Sequence, residues 1–456
     1  MQAVPQAGME QRHAEKVEAV RGGKFDLLLI GDSITQNLEN PEFRGVWDRF
    51  FAPRRALDLG YGGGRTENIL WNLTHGELDG QSPKVVTLLI GTNDSDDANY
   101  PLAHTPEQIV AGTTAVIGVI REKCPDTKIL LLRVFPRTNV YRNEDGTERG
   151  SAEKRAAANF QAGDIAARLA DDKSVFYLDV NHVFLRLDGS IDPDLMPDLL
   201  HPSAKGTLAW AEAMEPLLAT LFGDAPRRVA PANTALLPLP KIEPTSYDWW
   251  QRHGTILQVK NEIDPEIVLI GDSITHLWGG PPIWACDPNG PRAFAKTFEG
   301  RRVLNLGYGN DRVQNVLWRL DHGEIEGLHL KTIVLNIGAE NLRATPNAAE
   351  NTPGEISEAI CAALLRLRAK APQSRLILMG LFPQGEKADV PLRAKISGVN
   401  ERLKAMVNGT GILYLDIGEE LTQPDGTISP EIMRDFLHPT ERGYEIWGDA
   451  LSAAGF

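Results

Sequence analysis

The sequence predicts an α/β fold written twice, as two parallel sheets with helices on both faces. Three observations carry that expectation. Short Leu-rich or β-branched runs alternate with longer helical stretches, the pattern of stacked βαβ units. Several runs lead into glycine turns, at Gly31, Gly60 and Gly91. Almost the whole pattern then returns in the second half of the chain, and 456 residues exceed the usual size of one core.

In chain order, Gln11-Arg12-His13 opens the first half and Gln251-Arg252-His253 the second, each 20 residues ahead of a serine (33 − 13 and 273 − 253). Leu27-Leu28-Leu29-Ile30 is the first strand and runs into Gly31-Asp32-Ser33-Ile34-Thr35. Its counterpart, Ile267-Val268-Leu269-Ile270, runs into Gly271-Asp272-Ser273-Ile274-Thr275. The second strand ends in Leu59-Gly60-Tyr61-Gly62 or Leu306-Gly307-Tyr308-Gly309. Asn68-Ile69-Leu70-Trp71 and His75-Gly76-Glu77 follow, matched by Asn315-Val316-Leu317-Trp318 and His322-Gly323-Glu324. A third strand leads into Gly91-Thr92-Asn93-Asp94 or Gly338-Ala339-Glu340-Asn341, and in the first half a helical stretch, Thr105 to Lys123, comes next. The fourth strand ends in Phe135-Pro136 or Phe382-Pro383, and the fifth in Tyr177-Leu178-Asp179 or Tyr414-Leu415-Asp416. Each half closes on Asp198-Leu199-Leu200-His201-Pro202 or Asp435-Phe436-Leu437-His438-Pro439 before a last helix. Right-handed crossovers put the helices on both faces.

This reading divides the chain into a domain over 1–223, a connector over 224–245 and a second domain over 246–456. Five prolines between Asp224 and Asp248 forbid regular helix there. Two readings of the stretch stand, a free extended connector or a segment packed along the domain interface. Trp249-Trp250 is expected to pack between it and the second domain. The halves differ in two lengths: the offset rises from 240 to 247 near Gly279 to Gly290, and falls from 247 to 237 near Asn139 to Gly150. The latter loop leaves the carboxyl end of a strand and can reach the crevice there.

Composition narrows the function. A formal charge of −14 without a Lys/Arg run lacks the basic patch that nucleic acid requires. No apolar stretch approaches the ~20 residues that span a bilayer, so a soluble chain without membrane association is expected. Nothing fixes its compartment, and secretion or a periplasmic location after removal of a signal peptide is compatible with it. Cys124, Cys286 and Cys361 cannot all pair and fit no metal spacing; they read as buried or free thiols.

Acyl transfer needs a nucleophile, a base, a group that orients the base, and donors for an oxyanion. Ser33, at the end of a buried strand, either supplies the first or merely caps the next helix. His201 and Asp198, three residues apart before Pro202, can supply base and orienter; Gly62-Gly63-Gly64 and Asn93 offer donors. Asp32 and Asp272 read as backbone supports, and His13, His75, His253 and His322 as structural.

GDSIT with Ser33, the Gly63 turn, GTND with Asn93 and DLLHP with His201 resemble the four blocks of the SGNH (GDSL-like) hydrolase superfamily, in their usual order. Their context resembles the branch of platelet-activating-factor acetylhydrolase Ib catalytic subunits and bacterial carbohydrate acetylesterases. The resemblance covers nearly all of both halves. It implies flavodoxin-like α/β/α sandwiches with no metal or cofactor, Ser33 as nucleophile, His201 as base and Asp198 as its orienter. It also implies an oxyanion hole from the Ser33 and Gly63 N–H groups and the Asn93 side chain. The expected activity is removal of O-acetyl groups from a carbohydrate, with Tyr141, Arg142 and Asn143 as candidate substrate contacts; a short-chain lipid, lysophospholipid or aryl esterase is the alternative. In the second half Ser273, His438 and Asp435 remain, but Asn310 replaces Gly63 and Glu340 replaces Asn93. That half is expected to be impaired or accessory, as a binding or pseudo-dimer module, unless the Asn341 amide serves in place of Asn93.

Overall fold

A computed structural model describes residues 2–228, 233–282 and 287–456. Cys286 and the centre of the longer second-half loop lie outside the described residues. The chain divides into two compact units, Met1–Arg186 with Ser190–Ala232, and Leu187–Gly189 with Asn233–Phe456.

The first unit's sheet contains β1 (Leu27–Gly31), β2 (Ala56–Gly60), β3 (Val85–Leu89) and β4 (Lys128–Leu132). A short antiparallel hairpin, β5 (Tyr141–Arg142) and β6 (Glu148–Arg149), precedes the fifth sheet strand, β7 (Val175–Leu178). The order is β2-β1-β3-β4-β7 and every pairing in it is parallel. In the second unit β8 (Ile267–Gly271), β9 (Val303–Gly307), β10 (Thr332–Asn336), β11 (Arg375–Met379) and β12 (Leu413–Leu415) repeat it as β9-β8-β10-β11-β12, also parallel. The doubled α/β/α sandwich expected from the sequence is therefore present.

Alternation along the strands builds the layers. Leu27 and Leu29 share one core with Phe50, Trp210 and Met214; Leu28 and Ile30 share the other with Ile69, Val116 and Ile120. Since both faces are covered, the strands are mostly apolar instead of alternating with polar residues, with buried Asp58 and Asn305 at matching places in β2 and β9.

The strand ends position the site. Gly31 pairs with Gly60 at the carboxyl edge, and the short helix Ser33–Gln36 lies on both. A Cβ on Gly31 would stand 2.2 Å from Thr35 Oγ1 and 2.5 Å from the Leu89 carbonyl oxygen; one on Gly60 would stand 2.3 Å from the Gln36 backbone nitrogen. Gly271 and Gly307 meet Thr275 and His276 in the same way. The repeated Gln-Arg-His is bonded to this edge: Arg12 Nε donates to the Gly60 carbonyl at 2.8 Å and Arg252 Nε to that of Gly307 at 3.0 Å. His13 and His253 each bond a buried glutamate, Glu77 or Glu324, at 3.0 Å.

The stretch expected as connector is bonded down at both ends. On the first unit, Arg54 bridges Glu215 and Asp224, and Arg228 pairs with Glu212. On the second, Asn233 Nδ2 donates to the Glu355 carbonyl at 2.9 Å and Asn315 Nδ2 to that of Leu239 at 2.9 Å. Trp249 is buried against Tyr308 and Trp318, and Trp250, although 52% exposed, sets its ring edge-on to Trp318 at 5.2 Å, so both rings pack on the second unit.

Gly60→Ala is expected to destabilise the first unit by about 1–3 kcal/mol, the range for overpacking, because the atom it meets is backbone. Urea unfolding checks this: the midpoint should fall, while Gly22→Ala, with nothing within 4 Å of the added carbon, should leave it without that loss.

Candidate active site

The turn that aims Ser33 is built by its neighbour. Asp32 caps the short helix, its Oδ1 accepting the Ile34 N–H at 2.9 Å, which leaves the Ser33 side chain at the first helical position above the sheet edge. His201 arrives from the other end of the chain. Asp198 Oδ1 accepts the N–H groups of Leu200 (3.0 Å) and His201 (2.6 Å), and Leu199 between them holds a left-handed φ of 59°. For a branched residue that conformation costs about 1–2 kcal/mol. It recurs at Phe436, with φ 58°, so the same costly turn is held in both units.

That turn completes a relay. The Ser33 hydroxyl lies 2.9 Å from His201 Nε2, and His201 Nδ1 donates to Asp198 Oδ2 at 2.7 Å. Bonding Nδ1 to the carboxylate leaves Nε2 free to accept the hydroxyl proton. Burial raises the Asp198 carboxyl, but the His201 ring and two backbone N–H groups outweigh it and hold it at about 2. Asp198 therefore stays an acceptor throughout the physiological range.

Donors stand nearby. Among the described residues, the N–H groups of Ser33 and Gly63 donate to no protein group. Gly63 has φ 73°, and Asn93 Nδ2 donates to the Gly64 carbonyl at 3.0 Å, which brings its amide to the same turn. The second unit repeats the relay closely: Ser273 Oγ to His438 Nε2 at 2.9 Å and His438 Nδ1 to Asp435 Oδ2 at 2.6 Å, with Asn310 at φ 64°.

The model of the GDSL-like Lipase/Acylhydrolase family matches residues 29–209 and again 269–446. The chain belongs to this family. As a tandem GDSL-like acylhydrolase it is an ester hydrolase. It is similar to platelet-activating factor acetylhydrolase IB subunit alpha2 of Rattus norvegicus, 34% identical over 197 residues, 43% of this chain and 78% of the relative. It is equally similar to the alpha1 subunit of Homo sapiens, 34% over 197 residues, with 43% and 78% covered. A solved acetylxylan esterase mutant from Geobacillus stearothermophilus shares 19% identity over 41% of this chain and 93% of its own, with a TM-score of 0.35.

The two acylhydrolase sites differ around their donors. Glu340 occupies the Asn93 position, with Arg343 Nη1 3.8 Å from its carboxylate. The Asn341 amide does not replace Asn93: its Nδ2 donates to Gln314 (2.9 Å) and Asn351 (3.0 Å), and its Oδ1 accepts the Val313 N–H. It stands where Asp94 stands in the first unit, accepting the N–H of Thr66. Glu67, Asp94 and His104 bring ligand atoms within 4.8 Å of one another, but Asp94 is already bonded to Thr66 and His104, and the group braces its loop.

Of the candidate substrate contacts, Tyr141 lies against the guanidinium groups of Arg155 (5.0 Å) and Arg149 (5.7 Å). Arg142 and Asn143 bond within their own hairpin, to Gly146 and Thr147. The segment leading into the hairpin is tied to the relay loop where Thr138 N–H donates to the Leu199 carbonyl at 3.0 Å. Sequence reading missed Gln6, Gln36 and Tyr100, which touch the Gly63 turn. The structural counterpart of Val4-Pro5-Gln6 is Leu239-Pro240-Lys241, which shares only the proline, so the sequence carried no usable signal for it.

Burial raises the Asp32 carboxyl to about 7, against the Ile34 N–H, which favours its charge. Asp272 rises to about 8, through burial and then the Glu340 carboxylate. A raised carboxyl keeps a proton in the folded state that the unfolded chain releases, so stability falls as pH rises from about 4 to about 7. Asp32→Asn removes that slope, and its stability relative to wild type should improve between pH 4 and pH 8. Urea midpoints across that range test it, and a difference independent of pH would contradict it.

Proposed function

We propose that the first unit removes acetyl groups from carbohydrate hydroxyls through an acyl-enzyme on Ser33. The observation that carries this reading is the Ser33-His201-Asp198 relay, ending beside two uncommitted N–H groups. Ser33 Oγ attacks the ester carbonyl carbon as its proton passes to His201 Nε2. The developing oxyanion accepts from the Ser33 and Gly63 N–H groups and from the Asn93 amide. Collapse breaks the bond to the sugar oxygen, which takes the proton from His201. Water, giving its proton to the same nitrogen, then attacks the acetyl carbon, and acetate leaves as the proton returns to Ser33.

An acetyl group is favoured by the acetylhydrolase names of the curated relatives. A carbohydrate is favoured by the polar hairpin, whose tip exposes Arg142, Asn143, Glu144 and Asp145 and whose leading segment is tied to the relay loop through Thr138. A second reading, a short-chain phospholipid ester, follows from the same relatives' names. Turnover of acetylated xylo-oligosaccharides against acetylated phospholipid and longer acyl esters separates the two, and preference for the phospholipid would overturn the carbohydrate assignment.

The second unit we infer to be a weak or accessory site. A carboxylate at the Glu340 position repels an oxyanion where the first unit offers an amide, and loss of one such donor costs about 10²–10³-fold. On a chromogenic acetyl ester, Ser33→Ala should remove activity by about 10⁶-fold at its own site, and collapse with this variant alone marks one working site. Equal partial losses from Ser33→Ala and Ser273→Ala would mark two. In a Ser33→Ala chain, Glu340→Asn should raise the residual rate by about 10²-fold; no gain would show that Glu340 is not what limits Ser273. Asp198→Asn should cost about 10⁴-fold in kcat, the scale for a base held in the wrong tautomer.

A further inference from the structure

The turn Gly62-Gly63-Gly64 has little intrinsic stiffness, because three successive glycines allow each peptide plane many orientations. Its polar groups are nonetheless committed almost completely. Gly62 N–H donates to Gln36 Oε1 at 2.6 Å and Gly64 N–H to the Tyr61 carbonyl at 2.8 Å. The Gly62 carbonyl accepts from Gln6 Nε2 at 2.7 Å, the Gly63 carbonyl from the Tyr100 hydroxyl, and the Gly64 carbonyl from Asn93. Only the Gly63 N–H is left without a protein partner among the described residues.

We propose that Gln6 and Tyr100 are positioning residues that hold the Gly63 N–H toward the ester oxygen, each fixing one peptide plane of the turn. In a trans peptide the carbonyl of Gly62 and the N–H of Gly63 point in opposite directions across one rigid plane. A donor bonded to that carbonyl therefore aims the N–H, and by polarising the amide also strengthens it as a donor. Tyr100 fixes the following plane, which carries the Gly63 carbonyl and the Gly64 N–H, so that Gly63 is held from both sides. Its hydroxyl, pushed up to about 12 mainly by burial, keeps its proton at neutral pH.

The second unit supports this through different residues. The Gly309 carbonyl accepts from the Tyr247 hydroxyl at 3.2 Å and the Asn310 carbonyl from Lys241 Nζ at 2.6 Å. Gly309 N–H faces His276 Nδ1 at 3.3 Å, and the Asn310 N–H again has no protein partner. Equivalent carbonyls are held in both units while the side chains that hold them have changed, so the orientation of the turn is what the units share. The strap that carries Gln6 is itself seated in both: Val4 N–H donates to the Glu67 carbonyl at 3.2 Å and Leu239 N–H to that of Gln314 at 3.2 Å. Asn68 Nδ2 returns a bond to the Val4 carbonyl at 3.0 Å and Asn315 Nδ2 to that of Leu239 at 2.9 Å. Gln6 lies ahead of the family-matched stretch 29–209.

This inference rests on the reading of Ser33 as the acylated residue. It is tested in the full chain carrying Ser273→Ala, so that only the first site is measured, with Gln6→Ala, the isosteric Gln6→Glu, and Tyr100→Phe. The readouts are kcat and KM on 4-nitrophenyl acetate, the rate of Ser33 labelling by a fluorophosphonate located by peptide mass spectrometry, and the thermal midpoint. Each substitution should lower kcat and the labelling rate by about tenfold, with KM within about twofold and the midpoint held. Gln6→Ala combined with Tyr100→Phe should approach the loss of a whole donor, about 10²–10³-fold. Should Gln6→Ala fail to fold, Gln6→Glu keeps the size and sets an acceptor against the Gly62 carbonyl. A parent chain unlabelled at Ser33 overturns the acyl-enzyme reading and this inference with it. A labelled parent whose folded variants keep kcat, or lose it only through KM, overturns this inference alone.

Discussion

Two adjacent strand ends without side chains are the constraint on which this protein depends. The helical turn bearing Ser33 rests on Gly31 and Gly60 so closely that a single Cβ would meet backbone or a buried threonine at 2.2–2.3 Å. Packing at that distance has no soft direction, since the sheet below is parallel and covered on both faces and the turn above is capped by a buried Asp32. The serine is thereby fixed relative to the sheet. Everything else that reaches it, from the His201 loop to the Gly63 turn, is hung on neighbouring strand ends of the same edge. This is the crevice where open α/β sheets bind their ligands.

The duplication acts as an internal comparison. Both units keep the strand-end glycines, the relay distances, the left-handed residue between aspartate and histidine, and the free N–H of the donor turn. What changed is charge. The second unit places Glu340 and Arg343 where the first has Asn93 and Asp96, and its turn is held by Lys241 where the first uses Tyr100. The relay geometry is common to the two units, and the difference lies in the charged side chains around it. The shared fold thus carries two matching relays set among different side chains.

Much of this was legible in the chain. The strands, their order of appearance, and Ser33, Asp198 and His201 were readable because apolar runs, glycine turns and the Asp-x-x-His spacing are local signals, and the repeat confirmed each. The hairpin at Tyr141 to Arg149 was readable as a length difference between halves. Its side chains were not: Arg142 and Asn143 satisfy themselves within the hairpin, and nothing local distinguishes a polar group that bonds its own turn from one that faces a substrate.

The sequence by itself determined the architecture, the duplication and which serine, histidine and aspartate meet at the sheet edge, because each of these is written in short-range pattern and spacing. Only the tertiary structure decided how the Gly63 turn is held, that the Asn341 amide bonds Gln314 and Asn351, and which residues the described ends of the stretch 224–245 are bonded to. Each of those depends on hydrogen bonds between residues far apart in the chain, such as Gln6 with Gly62, Asn341 with Val313 and Lys241 with Asn310. A bond across that separation forms only after the sheet has brought its strand ends together, and its partners have no spacing from which they can be read in advance.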